Sequence, residues 1–165
     1  MHNYGLMPRH TQPEQLAEYN PATQVLRLCA PLTPSRNIID KWRASKRYSE
    51  IIKFRNVTLD HLKAQVLCTL GLGYPKPWAD QVDVRIVRCS NTSRHLDQDN
   101  IIGGCKITLD CLQMKFGGFR TWYEGVGLIK DDTSAHLKIS FVESRLRGRY
   151  GGLGVGTWLY IRKLR

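Results

Sequence analysis

Hydrophobic and polar residues alternate in four short segments of the chain, which predicts four β-strands. These are segments 25–29, 82–86, 137–141 and 157–161. In the first, Leu26 and Leu28 alternate with polar or small neighbours, and Pro31 ends the segment. Because successive side chains of a strand point to opposite faces, each segment can bury one face against a core.

Two other segments carry apolar residues at the three- and four-residue spacing of an α-helix. The first apolar stripe ends before Gly71 and comprises Tyr48, Ile52, Leu59, Leu62, Val66 and Leu70. The second comprises Cys105, Leu109 and Leu112, and Gly117 and Gly118 are expected to end it. Since each glycine inside a helix costs about 0.8–1 kcal/mol relative to alanine, the pair Gly103–Gly104 favours a start after Gly104 or a bulge.

The order of predicted elements is therefore strand, helix, strand, helix, strand, strand. This order is typical of a single α+β domain, with a small mixed or antiparallel sheet packed with helices. Residues 1–23 are polar and contain Pro8, Pro13 and Pro21, so we expect a flexible amino-terminal extension before a domain at 24–165. No apolar run approaches the roughly 18 residues that cross a bilayer, and no secretory signal is recognisable, so we expect a cytoplasmic protein without a membrane partner.

The balance of charge indicates a polyanionic partner. The 165 residues include 25 Lys and Arg against 14 Asp and Glu, a formal net charge of +11. Such a field attracts polyanions, of which nucleic acid is the foremost. The basic residues cluster within 36–55 and from 144 to the end, and the candidate nucleic-acid contacts are Arg36, Lys41, Arg43, Lys46, Arg47, Arg145, Arg147 and Arg149.

Two familiar kinds of site are not expected. The five cysteines are an odd number, widely spaced and without a Cys-x-x-Cys pair, which favours free, mostly buried thiols over a zinc site or disulfides. The glycine-rich stretch 152–156 precedes a predicted strand instead of a helix, so it does not match a dinucleotide-binding loop. No nucleotide cofactor is therefore expected.

Two tight acidic clusters stand out in this basic chain: Asp97-x-Asp99-Asn100 and the adjacent pair Asp131–Asp132. Carboxylates beside a phosphate-binding surface repel the ligand unless a cation lies between them, and Mg²⁺ accepts one or two carboxylates plus phosphate oxygens. If its segment is extended, Asp97 and Asp99 point to the same side and can share an ion. Asp is also favoured at turns and helix N-caps, and this structural explanation stays open.

Taken together, these residues resemble the RusA family of Holliday-junction resolvases. The resemblance rests on Asp97-x-Asp99-Asn100, on Lys106 with Asp110 four residues later, and on Gly127-x-x-x-Asp131-Asp132. It extends to the Pro34-Ser35-Arg36-Asn37 segment after the first strand and to the glycine-rich turn before the last strand, and covers roughly residues 24–163. Five residues between Asn100 and Lys106 depart from the family's usual spacing.

The resemblance implies a homodimeric, Mg²⁺-dependent endonuclease, with Mn²⁺ able to substitute, that cuts four-way DNA junctions by symmetric nicks. It places Asp97, Asp99, Asp132 and Lys106 in catalysis, and Asp97, Asp99, Asp132 and Asp131 around the metal. It also implies a bacterial or phage-encoded protein. Two alternatives remain: a non-catalytic basic nucleic-acid-binding protein, and a metal-dependent transferase that uses Asp97 and Asp99 to bind a nucleotide diphosphate.

Overall fold

The structure, a computed structural model, describes residues 17–32, 34–91, 95–118, 121–146 and 154–164. It contains a five-stranded sheet and a separate two-stranded hairpin. The strands are β1 (Glu18–Asn20), β2 (Val25–Ala30), β3 (Val82–Ser90), β4 (Lys115–Gly118), β5 (Thr121–Glu124), β6 (Leu137–Leu146) and β7 (Gly156–Lys163). The helices are α1 (Arg36–Asp40), α2 (Ala44–Leu70) and α3 (Gln98–Leu112).

The five-stranded sheet is mixed, with the strand order β1-β2-β7-β3-β6. Strands β3 and β6 are parallel and are joined by a crossover that contains α3 and the β4–β5 hairpin, whereas the other neighbouring strands are antiparallel. The four predicted strands correspond to β2, β3, β6 and β7, and the predicted α+β class with a mixed sheet is confirmed.

The hydrophobic core lies between one face of the sheet and the long helices α2 and α3. The strands contribute alternate residues such as Leu28, Ile86 and Leu159, and the helices contribute Leu62 and Leu112, all fully buried. The helical periodicity therefore identified α2 correctly, and Gly71 ends it with φ 79° and an N–H that donates to the Leu67 carbonyl. None of the described helices is long and apolar enough to cross a membrane.

The folded part of the chain begins earlier than the predicted boundary at Gln24. Strand β1 pairs with β2 through Glu18, Tyr19 and Asn20, and Ala17 is buried. A strand of three residues is too short to show an alternating pattern in the sequence. The rest of the predicted extension, residues 1–16, lies outside the described residues.

Helix α3 differs from its prediction at both ends. It begins at Gln98 and includes Gly103 and Gly104, and it ends at Leu112, ahead of Gly117. The two glycines allow the loop that leads into α1 to approach the helix: a Cβ at Gly104 would lie 2.6 Å from the Pro34 carbonyl oxygen. The glycines inside this helix are therefore explained by close packing against another part of the chain, which intrinsic helix propensity does not take into account.

The β4–β5 hairpin and α1 were not predicted. Gly117 and Gly118, interpreted as a helix end, instead close the first strand of the hairpin, and Gly117 has φ 142° with no room for a Cβ. The expectation for the cysteines is confirmed, because all five are free and only Cys68 is exposed. Burial raises the pKa of Cys29, Cys105 and Cys111 to about 12, so these thiols remain protonated and unreactive.

Candidate active site at the end of helix α3

The loop that carries Asp131 and Asp132 is fixed against the end of α3 by backbone hydrogen bonds. The Leu128 N–H donates to the Leu112 carbonyl at 2.8 Å, and the Met114 N–H donates to the Ile129 carbonyl at 2.9 Å. Leu128 and Ile129 are fully buried and secure this pairing in the core. The two acids that follow are thereby brought beside the last turns of α3.

Three charged side chains converge at this place. The Lys106 ammonium donates to Asp110 Oδ1 at 2.7 Å, one helical turn further along α3, and also to Asp132 Oδ2 across the loop. The Gln113 amide donates to the same Oδ1 of Asp110 at 3.2 Å. Lys106 and Asp132, two of the residues to which the resemblance assigns catalysis, are in direct contact, and Asp110 completes the Lys106–Asp110–Asp132 cluster.

Burial and ion pairing shift the pKa values of Lys106 and Asp110 in opposite directions. Burial lowers the pKa of Lys106, but its hydrogen bonds to Asp110 and Asp132 outweigh that effect and the pKa lies above its usual 10.5. Burial raises the pKa of Asp110 above 3.8, although the neighbouring Lys106 opposes the rise. Lys106 is therefore a lasting positive charge, while Asp110 binds protons more readily than an exposed carboxyl.

Asp131, the neighbour of Asp132, has a different set of partners. It accepts hydrogen bonds from the Thr133 hydroxyl at 2.5 Å and from the Thr133 N–H at 3.0 Å, and lies 3.7 Å from His136 Nε2. These bonds from Thr133 hold the pKa of Asp131 below its usual value. Asp131 thus orders the turn before β6, at the edge of the cluster.

Asp97 and Asp99 do not share an extended segment, because the helix begins between them, so the condition under which alternation would place them on the same side is not met. Asp97 is the N-cap of α3: its carboxylate accepts from the Asn100 N–H at 2.9 Å and from the Asn100 amide, and these bonds lower its pKa. Asp99 lies in the first turn of α3. The structural explanation is thus confirmed for Asp97.

The helix separates these first two acids from the Lys106–Asp110–Asp132 cluster. Asp99 precedes Lys106 by seven residues, which corresponds to about 10 Å along the axis and nearly two full turns. Both residues therefore lie on one side of α3. The start of α3 is also connected to α1, because the Asn100 side-chain oxygen accepts from the N–H of Asn37, in the first turn of α1, at 3.3 Å.

The described residues contain no group of three or more His, Cys, Asp or Glu side chains arranged to hold a metal ion. The chemistry of the donor set is nevertheless suited to Mg²⁺, which binds through one or two carboxylates and otherwise keeps its waters. Asp110 and Asp132 meet that requirement, since both already face one cation, the ammonium of Lys106. The four predicted metal ligands do not converge, and Asp110 was assigned only as a partner of Lys106.

A cleft of about 810 Å³ opens beside the cluster, between α2 and the β4–β5 hairpin. Arg55 of α2 lies 4.8 Å from the Tyr123 ring and 5.3 Å from the Phe116 ring, and so fixes the hairpin against the helix. Trp122, 70% exposed, and Tyr48, 68% exposed, also line the cleft. The sequence signal for this wall was the set of aromatic residues around Gly117 and Gly118, with Phe116 before them and Trp122 and Tyr123 after them.

The predicted nucleic-acid contacts are divided between two regions. Lys41, Arg43 and Lys46 are exposed around the start of α2, with Lys46 5.6 Å from the Trp42 ring. Arg36 pairs with Asp40 at 3.5 Å, and Arg47 donates to the carbonyls of Asp40 and Trp42, which gives both a structural role.

The second predicted region is only partly described. Arg145 lies on β6 and pairs with Glu143 at 2.8 Å, while Arg147 and Arg149 lie outside the described residues. Comparison of the chain with models of protein families, with curated proteins and with solved structures finds no match. The Lys106–Asp110–Asp132 cluster and its cleft are therefore the features of the described chain that bear most directly on function.

Proposed function

We propose that this chain is a Mg²⁺-dependent endodeoxyribonuclease that resolves four-way DNA junctions by phosphodiester hydrolysis. The observation that carries the proposal is the convergence of Asp110 and Asp132 on Lys106 at the side of an open cleft. Carboxylates and a lysine beside an open cleft, in a chain with net charge +11, suit a polyanionic substrate that is cut with the help of a metal.

Asp110 and Asp132 are the residues that would hold the Mg²⁺ ion, with Mn²⁺ able to substitute. When bound, such an ion polarises a phosphodiester and lowers the pKa of a water molecule, which supplies the nucleophile. Asp99 lies on the same side of α3, and under this proposal it faces the same substrate from the other end of the helix.

Lys106 would stabilise negative charge on the attacked phosphate. Its pKa is raised, so its ammonium stays charged throughout the neutral pH range. Preorganised positive charge at the place where negative charge develops is a major contribution to catalysis. Asp110 and Gln113 orient Lys106 through their shared hydrogen bonds.

The exposed cations around the start of α2 would hold the phosphate backbone, with Lys41, Arg43 and Lys46 as contacts. Two nicks placed symmetrically across a junction require two active sites, so the proposal includes a homodimer. Binding through phosphates releases counterions, and affinity should therefore fall steeply between low and moderate salt.

The test is cleavage of a labelled synthetic four-way junction beside a linear duplex of matching sequence, with Mg²⁺, with Mn²⁺ and with a chelator. We expect paired nicks in the junction that need the metal. Asp132→Asn should abolish cutting and retain junction binding, whereas Asp60→Asn, which removes the same charge from an exposed position of α2, should retain both cutting and binding.

Asp110→Asn and Asp99→Asn then separate the contributions of the two ends of α3. Metal-dependent cutting that survives Asp132→Asn would refute the assignment of the site. Tight, salt-sensitive junction binding without cutting in any divalent metal would instead establish the non-catalytic binding protein.

A further inference from the structure

A row of alternating cationic and aromatic residues crosses the five-stranded sheet on the face away from the helices. Arg27 of β2 is opposite Tyr160 of β7, Tyr160 is opposite Arg85 of β3, and Arg85 is opposite Phe141 of β6. Their neighbours along each strand, such as Leu26, point into the core. The Arg27–Tyr160–Arg85–Phe141 row therefore lies on the outer face.

Side chains of this row are available to a ligand. The Arg85 guanidinium lies 4.7 Å from the centroid of the Phe141 ring, and Phe141 is 37% exposed. Arg85 is exposed and forms no ion pair with any carboxylate in the described part of the chain. A planar cation stacked on an exposed ring offers both a charge and a flat apolar surface.

The surroundings of the row are positively charged. A cleft of about 700 Å³ on this face is lined by the row and by Lys138 and Arg162. Two of its four cations are paired, Arg27 with Glu18 at 3.2 Å and Arg162 with Asp83 at 3.4 Å. Arg85 and Lys138 remain as excess positive charge, which favours an anionic ligand.

We propose that this sheet face binds single-stranded nucleic acid, with unpaired bases stacked on Phe141 and Tyr160 and phosphates held by Arg85 and Lys138. Sequence-tolerant binding of single strands combines aromatic platforms for bases with a basic groove for the backbone. A duplex hides the faces of its bases in its own stack, so exposed aromatic rings that bind base faces select unpaired strands.

The proposed face is separate from the Lys106–Asp110–Asp132 cluster, because the cleft beside that cluster lies between α2 and the hairpin, on the helical side of the sheet. The proposal goes beyond junction cleavage and does not depend on it. A second copy of the chain is a less suitable occupant, since a two-fold contact places the excess charge of Arg85 and Lys138 against the same charge of the partner.

The test measures binding of fluorescently labelled dT12 and rU12 to the full chain by anisotropy, without divalent metal. We expect Phe141→Ala to weaken dT12 binding about tenfold, in keeping with the loss of one stacked base. Arg85→Ala removes a phosphate contact and the cation stacked on Phe141, and should weaken binding about tenfold as well. Lys63→Ala, which removes one exposed charge from α2, is the matched control and should change the affinity less than twofold. Phe141→Trp should retain binding.

Three results would overturn the proposal: unchanged dT12 affinity in the Arg85→Ala variant, no measurable binding of either oligonucleotide, or evidence that a second copy of the chain covers this face. Since Arg85 is exposed, that variant is expected to fold even if Phe141→Ala does not. Light scattering on the same samples distinguishes the other occupant: a dimer that dissociates in Phe141→Ala or Arg85→Ala would make this face a subunit interface. Junction cleavage is measured in parallel and should persist, which separates this proposal from the nuclease proposal.

Discussion

Gln65 of α2 forms with Cys29 of β2 the two hydrogen bonds that a neighbouring strand would otherwise supply. Its side-chain oxygen accepts from the Cys29 N–H at 2.8 Å, and its amide donates to the Cys29 carbonyl at 2.7 Å. The pairing of β1 reaches only as far as Arg27, and among the described residues no strand pairs with the edge of β2 beyond it. A helix side chain thus completes the hydrogen bonding of a fully buried strand edge.

Gln65→Leu should therefore destabilise the fold by about 2–4 kcal/mol, because it leaves a buried N–H and a buried carbonyl without partners. Urea unfolding followed by tryptophan fluorescence measures this change in the free energy of unfolding. Gln98→Leu, at an exposed position in the first turn of α3, is the control and should stay within about 0.5 kcal/mol. Equal effects of the two substitutions would contradict the structural role of Gln65.

The two helical glycines should respond differently to alanine. Gly104→Ala forces a Cβ to within 2.6 Å of the Pro34 carbonyl oxygen, and overpacking of this kind costs about 1–3 kcal/mol. Gly103→Ala meets side-chain atoms of Arg36 at 2.8 Å and 2.9 Å, and the helix gains about 0.8–1 kcal/mol from the better propensity of alanine. Thermal unfolding should therefore rank Gly104→Ala as the less stable variant, and the reverse order would refute the account of close packing.

Removal of the Lys106 ammonium should raise the pKa of Asp110 further. The folded state already favours protonated Asp110 because of burial, and Lys106 is the main influence that opposes the shift. In Lys106→Met the ionised carboxylate keeps its burial and loses that cation, so the loss of stability should grow as pH rises from about 4 towards 7.

Carbon-13 NMR titration of the aspartate carboxyls measures the pKa directly, and urea unfolding at the two pH values measures its thermodynamic consequence. Lys53→Met, which removes the same charge from an exposed pair with Glu50, is the control. A lower pKa of Asp110 in Lys106→Met would contradict the ion pairing within the cluster.

Trp122 should contribute to substrate binding and little to stability. Its side chain is 70% exposed at the cleft, so Trp122→Ala should change the free energy of unfolding by less than about 0.5 kcal/mol. Loss of stacking on a base that is unstacked at the branch point should lower junction affinity at least about fivefold. Leu72→Ala, at an 89% exposed apolar residue in the loop after α2, is the control, and equal affinities of the two variants would exclude Trp122 from the binding surface.

The sequence was informative where an element packs a regular series of side chains against the core, as the second half of α2 does with Leu62 and Val66, although Tyr48 near its start is exposed. Strands β2, β3, β6 and β7 and helix α2 show a clear period because each contacts a continuous core. It was misleading at α3, where Gly103 and Gly104 reflect the approach of a distant loop instead of local propensity. It was silent on β1, which is too short to show a period.

The candidate site was predictable in part for a similar reason. The contact between Lys106 and Asp110 follows from their spacing of four residues on one helix. The contact between Lys106 and Asp132 depends on backbone pairing of Leu128 and Ile129 with the end of α3, which joins residues far apart in the chain. The capping role of Asp97 was one of two interpretations, and the choice required knowledge of where α3 begins.

Because α3 is continuous through its two glycines, the directions of the side chains at its two ends are fixed relative to each other. Asp99 and Lys106 are seven residues apart, so their directions around the helix axis differ by only about 20°. One extra residue between them would rotate Asp99 by about 100° relative to Lys106, and would also displace Gly104 from the Pro34 carbonyl. Four extra residues would nearly restore the angle between Asp99 and Lys106 around the helix axis, but would lengthen their separation along the axis by about 6 Å. The number of residues between Asp99 and Lys106 therefore determines both their relative direction and their distance.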